Sequence, residues 1–346
     1  MAYTDIDKPS DYFNTKLYTG TGSSQSITGV GFQPDWVWIK NRSGTDWHIL
    51  TDAVRGATKE LYSNATNLED TNSNQLTSFN SDGFSIGGAS ETGRNSANFA
   101  SWNWKAGTSF TNDASGTGIG SIDSAGSFNN DSGFSIVSYT GTGSAGTIKH
   151  GLNSVPSMII IKVLTNTAND WCVYHQATGN NKSTFLNGTN AVSSNAFMNN
   201  TTPTSSVFSV DGSNYSSGSS RNYIAYCFSD VKGYSKFGSY TGNNNSNGKF
   251  IYLGFKPAFF ICKNYQDAGD NWILHDNKRD TFNVTDNGLA PNSNTAEFTD
   301  VDMDFLSNGV KMRNVTGRAN SAKTFIYMAF SEESFVSSTG VPATAR

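Results

Sequence analysis

Proton-transfer chemistry near neutral pH would fall first to the four histidines, His48, His150, His175 and His275. Three of them sit in or beside tryptophan-led segments: Trp47-His-Ile-Leu50, Trp171-Cys-Val-Tyr174 and Trp272-Ile-Leu-His275. Counted from each tryptophan, His48, His175 and His275 fall at +1, +4 and +3. On strands those offsets turn the rings to different faces, so no shared site follows. The neighbours His275 and Asp276 read as a surface hydrogen bond at a strand edge. Asp302 and Asp304 are two apart and share one strand face. Such carboxylates can bind calcium or divide acid and base roles. Nothing matches them elsewhere in the chain, and a solvated strand face explains them. Serine is abundant, yet there is no Gly-x-Ser-x-Gly elbow before a helix and no Gly-Lys-Ser/Thr phosphate loop. Cys172, Cys227 and Cys262 each lie inside an apolar run (WCVYH, IAYCF, FFICK) and read as buried free thiols. Zinc-ligand spacing is absent. The expectation is a protein that is not an enzyme, with no catalytic residue, no metal and no cofactor.

The elements that would position any site follow from composition. Apolar residues make up 36% of the 346-residue chain and aromatics 13%, enough for a core built on large rings. Charged residues are only 15%, so the polar surface must come from Ser, Thr, Asn and Gly. That mixture suits strands and turns and disfavours exposed helices. The net charge is −4 and no basic run occurs, which argues against nucleic acid as a partner. No apolar run approaches a membrane span, and the opening MAYTDIDKPSDYF does not read as a signal peptide.

Five landmarks recur three times in the same order. The first is Tyr-Thr-Gly, at Tyr18, Tyr139 and Tyr240. After a polar turn come the proline-led runs Pro34-Asp-Trp-Val-Trp-Ile-Lys40, Pro156-Ser-Met-Ile-Ile-Ile-Lys162 and Pro257-Ala-Phe-Phe-Ile-Cys-Lys263. The tryptophan-led strands follow. Next are Gly83-Phe-Ser-Ile86, Val207-Phe-Ser-Val210 and Gly309-Val-Lys-Met312. Each copy closes on an aromatic strand beginning at Phe99, Tyr223 or Phe325. Short β-branched and aromatic strands with frequent turns predict an all-β chain of three tandem β-sandwich repeats, jelly-roll or lectin-like in character. The predicted boundaries are an N-terminal arm over 1–12, repeats over 13–110, 133–232 and 233–336, a flexible or lightly structured linker over 111–132, and a C-terminal tail over 337–346. Continuous runs such as MIIIKV predict central strands buried on both faces. Trp47, Trp171 and Trp272 are expected in the core in register. The i, i+2 pairs Trp36/Trp38 and Trp102/Trp104 each lie on one face, which leaves room for one member at the surface.

These landmarks resemble a family of repeat proteins encoded by tailed phages, many of them marine, described as tail-fibre-like or virion structural proteins. The segments that carry the resemblance are DYFNTKLYTGTGSSQSITGVGFQPDWVWIKNR, SGFSIVSYTGTGSAGTIKHGLNSVPSMIIIK, GYSKFGSYTGN, HDNKRDTFNV and the C-terminal ATAR. The resemblance covers nearly the whole chain, from Tyr12 to Arg346, and brings no catalytic residues with it. It implies a virion protein made in the host cytoplasm, with other virion proteins and host-surface glycan as partners, no membrane insertion, and room for oligomers on the virion. The leading expectation is a receptor-binding, tail-fibre-like module. The alternative is a structural part such as a capsid decoration or tail accessory protein, and a glycan-cleaving enzyme is the weakest reading. The segments after each tryptophan strand diverge between repeats, so recognition is expected on those loops. Tyr62, Phe185 and Phe197 are the candidate binding residues there.

Overall fold

The computed structural model describes residues 4–344, so the ends of the expected arm (1–3) and tail (345–346) lie outside the described residues. The chain is all-β, with antiparallel sheets throughout. Helix among the described residues is limited to single turns at Pro9–Asp11, Ser90–Gly93 and Ala114–Thr117.

The sheets group into three sandwich-like pairs, each an inner sheet facing a small outer one. The inner sheet of repeat 1 contains Phe13–Thr19, Asn98–Trp104, Trp36–Asn41 and Ile49–Asp52 in that spatial order. Repeat 2 places Phe134–Thr140, Asn222–Phe228, Met158–Val163 and Cys172–His175 the same way. Repeat 3 does so with Ser235–Thr241, Thr324–Ser334, Phe255–Asn264 and Ile273–Asp276. The register agrees as well: Trp38 pairs Trp102 and Leu50, Ile160 pairs Tyr226 and Val173, and Ile261 pairs Met328 and Leu274.

Each inner sheet is covered on both faces, which is why its central strand is apolar without alternation. One face meets the repeat's own outer sheet. Ile39 packs with Ile27 and Phe84, Ile161 with Ile148 and Phe208, and Cys262 with Ile251 and Val310. The other faces of all three inner sheets meet in one central core. There the Trp36 ring lies 4.5 Å from both Trp104 and Tyr226. Phe330 lies 5.7 Å from Trp104 and 6.1 Å from Phe228. All four paired tryptophans of repeat 1 are buried, so neither pair supplies a surface ring.

Three equivalent junctions close the repeats into a ring. Backbone N–H groups of Glu69, Val192 and Glu297 donate to the carbonyls of Leu164, Tyr265 and Arg42, linking repeat 1 to 2, 2 to 3 and 3 to 1. The lysines that end the proline-led runs repeat this closure. Nζ of Lys40, Lys162 and Lys263 reaches carbonyls of Asn294, Thr66 and Thr189, each in a neighbouring repeat. Burial draws each of these ammoniums down to about 8, and backbone carbonyls in the same repeat also hold them.

The structure departs from the sequence-based expectations at several places. Trp47 is 38% exposed; His48 occupies the position of Trp171 and Trp272. The backbone N–H groups of His48, Trp171 and Trp272 all donate to an asparagine side chain, Asn64, Asn187 and Asn292. Residues 111–132 are structured, and they belong to the repeat 2 sheet rather than to a separate linker. Thr108–Asn112 and Ser124–Asn129 add two strands to the edge of the repeat 2 sheet, so that sheet begins before residue 111. The described part of the N-terminal arm is not separate from the repeats: Ile6 enters the central core and Thr4 Oγ1 donates to the Lys232 carbonyl. Finally, Asp276 is not at the surface. It is buried and paired with Arg279 at 2.6 Å.

Candidate functional site

Because the three repeats share one backbone plan, each serves as a reference for the others. The first strand of the outer sheet shows where they differ most. In Gln25–Thr28, Gly146–Lys149 and Phe250–Tyr252, one isoleucine points into the core: Ile27, Ile148 or Ile251. Strand alternation turns its two neighbours outward. Those neighbours are Ser26 and Thr28 in repeat 1, and Thr147 and Lys149 in repeat 2. In repeat 3 they are Phe250 and Tyr252, 38% and 55% exposed. The strand is an edge strand, paired only on the side of Gly309–Met312. Gly254, at φ +84°, turns the chain from it into the inner sheet, a left-handed conformation that glycine adopts without a Cβ penalty.

Facing Phe250–Tyr252 across a cleft is the edge strand of the inner sheet, Ser235–Thr241. Lys236 Nζ donates to the Tyr252 carbonyl at 2.9 Å and lies 5.2 Å from the Tyr252 ring centroid, fixing the ring's position. Two residues on, Gly238 pairs with Tyr327. A Cβ at Gly238 would stand 2.6 Å from Tyr327 Oη. The matching pairs are Lys16 with Ser101 in repeat 1 and Val137 with Ala225 in repeat 2. Repeat 3 has thus removed a side chain from the edge strand and placed a phenol beneath the gap. The Tyr327 ring stacks on Phe260 at 5.6 Å, and the residue is 4% exposed. Among the described residues its Oη has no hydrogen-bond partner, and burial with the nearby Asp230 charge pushes the phenol up to about 12. It therefore stays a protonated donor at the floor of the cleft.

Two adjoining cavities of about 470 and 540 Å³ share Lys236 and Tyr252. Ser239, Thr241, Lys249, Phe250 and Tyr327 line the first. Asp5, Asp230, Leu253 and Phe335 line the second. Burial raises the Asp230 carboxyl, and it accepts from the Phe237 N–H at 2.8 Å. Burial lowers the Lys236 ammonium, with Asp230 opposing that shift. Exposed ring faces beside hydroxyls and an ammonium suit a ligand that has an apolar C–H face and a polar rim.

A larger groove of about 620 Å³ runs between repeats 1 and 2. Its polar groups are already engaged: Arg55 pairs with Asp52 and Glu69, Asp113 accepts from the Gly116 N–H, and Asp123 accepts from the Ala114 N–H. That groove offers little for a ligand to bond.

The loop aromatics singled out from the sequence lie elsewhere and are not brought together. Tyr62 is buried, with Oη donating to Glu60 at 2.6 Å and its ring edge-on to Trp47 at 4.6 Å. Phe185 is half-buried against Tyr215. Tyr62 and Phe185 hold equivalent junction positions, since their carbonyls accept the indole N–H of Trp171 and Trp272, each at 2.9 Å. Phe197 is wholly buried in the repeat 2 core. The signal for the cleft was present in FIY, read against the matching SIT and TIK.

The titratable groups considered first are held in the interior. All four histidines are buried, and burial pushes His150 and His175 down to about 4 and His275 to about 3. Burial raises the Cys227 and Cys262 thiols to about 12. Asp304 is buried and pairs with Arg313 at 2.5 Å.

No curated protein and no solved structure matches the chain. A family profile, described as Domain of unknown function (DUF7483), matches residues 8–334. The chain therefore belongs to that family of domains.

Proposed function

We propose that the protein is a non-enzymatic surface protein of a tailed-phage virion that recognises host-surface glycan in a tail-fibre-like role. The observation that supports this most is the departure of repeat 3 from its siblings. Phe250 and Tyr252 stand exposed where repeats 1 and 2 carry Ser26, Thr28, Thr147 and Lys149, and the cleft they border opens over the Tyr327 hydroxyl, which has no hydrogen-bond partner among the described residues. Exposed rings cost solvation and do not serve the core, which has its own isoleucine on that strand. A rigid, polar-looped scaffold that carries one aromatic cleft suits weak, hydroxyl-directed recognition. The test has two parts: gold-labelled antibody locates the chain on intact virions, and the purified chain competes with those virions for adsorption to host cells. Labelling together with blocked adsorption is the expected result.

A second reading, a structural virion part such as a capsid decoration or tail accessory protein, draws support from a different surface. Phe282 and Val284, 77% and 46% exposed, lie beside the far strand of the same outer sheet, where Thr285 bridges to Met303. Labelled virions whose adsorption the purified chain leaves unaffected would favour this reading over the first.

A further inference from the structure

The charge pattern of the cleft narrows the class of glycan. This step rests on the glycan-binding reading above. The chain as a whole carries a net charge of −4, yet the residues lining the 470 Å³ cavity include two lysines and no carboxylate. The two lysines have different roles. Lys236 is committed to the Tyr252 carbonyl and ring. Lys249 is exposed, and among the described residues its ammonium has neither an ion-pair nor a hydrogen-bond partner. It directly precedes the exposed Phe250, on the lip of the cavity. Tyr327 Oη, a donor without an acceptor, opens on the same space, as do the exposed residues Ser239 and Thr241.

We propose that this cleft binds an acidic saccharide, a sugar that carries one ring carboxylate as in a uronic acid. The C–H face of the sugar stacks on Tyr252 and Phe250, Lys249 meets the carboxylate, and Tyr327 Oη donates to a ring oxygen. One free ammonium matches one negative charge per sugar. Among the described residues the lining has no guanidinium fork, so Lys249 meets the ligand as a single point charge rather than as a bidentate clamp. The volume is within the range of small-molecule sites.

The test is equilibrium binding of the full chain to a panel of uronic-acid and sialic-acid oligosaccharides, each beside its carboxyl-reduced counterpart, at two salt concentrations. At least one acidic member is expected to bind about tenfold tighter than its reduced form, the order of one charge-assisted hydrogen bond. Lys249→Gln should erase that preference and its salt dependence, and Lys249→Arg should keep them. Melting temperature serves as the folding control, which an exposed position leaves near wild type. Equal binding of acidic and reduced forms, lost in Tyr252→Thr, would overturn the acidic assignment and leave glycan recognition standing. An unchanged preference in Lys249→Gln would also overturn it. Binding to no glycan at all would overturn the glycan reading itself.

Discussion

The indoles of Trp171 and Trp272 each cross a repeat boundary, donating to the carbonyls of Tyr62 and Phe185. In the third copy the same place is held by His48, which also accepts from Trp38 Nε1 at 3.0 Å. Trp272→Ala would leave a cavity and remove one of the two donors to the Phe185 carbonyl, which keeps the Gly188 N–H, and should cost about 3–5 kcal/mol in urea unfolding. Trp47→Ala, at a partly exposed ring, should cost under about 1 kcal/mol. Reading the sequence by residue type put Trp47 in that register; only the backbone pairing reveals the shift by one position. The histidines give a second expectation. His175 Nδ1 accepts from the Ala177 N–H, and Nε2 lies 3.1 Å from the Tyr327 carbonyl, a pattern that fits neutral imidazole. Its folded value, about 4, lies below the ordinary 6.5, so the folded chain refuses a proton that the unfolded chain accepts. Stability is full above pH 6.5 and falls as pH drops from there toward 4. His150 adds to the same window and His275 extends it toward 3. Urea titrations across pH 4–7 should show this slope, and His175→Gln should reduce it by the share of one histidine, leaving that of His150 and His275.

At the scale of elements, the strands were the legible part. The proline-led runs do align as equivalent central strands, because a strand covered on both faces has to be continuously apolar. Thr108–Asn112 and Ser124–Asn129 were not legible, since edge strands rich in Ser, Gly and Asn carry no apolar pattern and read as linker. The cleft was missed for a related reason. Loop length drew attention to Tyr62, Phe185 and Phe197, while the informative contrast lay within a three-residue strand. The Asp-x-x-Arg turn after the tryptophan strand shows how elements trade chemistry between copies. Asp52–Arg55 and Asp276–Arg279 are buried ion pairs, and repeat 2 has His175 and Thr178 there instead. Burial pushes the Asp276 carboxyl up, and the charge and hydrogen bonds of Arg279 outweigh it and hold the carboxyl below its ordinary value. Arg279→Ala leaves that carboxylate buried without its partner and should cost about 3–5 kcal/mol. The double change Asp276→His with Arg279→Thr, the repeat 2 solution, should cost less than the single one in the same unfolding assay. The opposite order would contradict the equivalence of these turns.

Across the whole molecule, the central core belongs to no single repeat. Trp36, Tyr226 and Phe330 come from three repeats and meet around it, and three sets of backbone bonds close the ring. The intact chain should therefore unfold in one calorimetric transition, and residues 233–336 expressed alone should not fold, because the inner face of their sheet would lie bare to water. On that shared frame the proposed function makes repeats 1 and 2 the scaffold and gives recognition to the cleft of repeat 3. This is the claim on which the functional account stands. The most direct measurement compares the chain with its Phe250→Ser/Tyr252→Thr variant on a host-surface glycan array. The substitutions give repeat 3 the residues that repeat 1 already carries at those positions, so folding should be preserved and is checked by the melting temperature. The account expects the wild-type chain to bind and the variant to lose at least about tenfold in affinity, consistent with the loss of two stacking rings. A variant that melts like the wild type and still binds the same glycans equally well would contradict it.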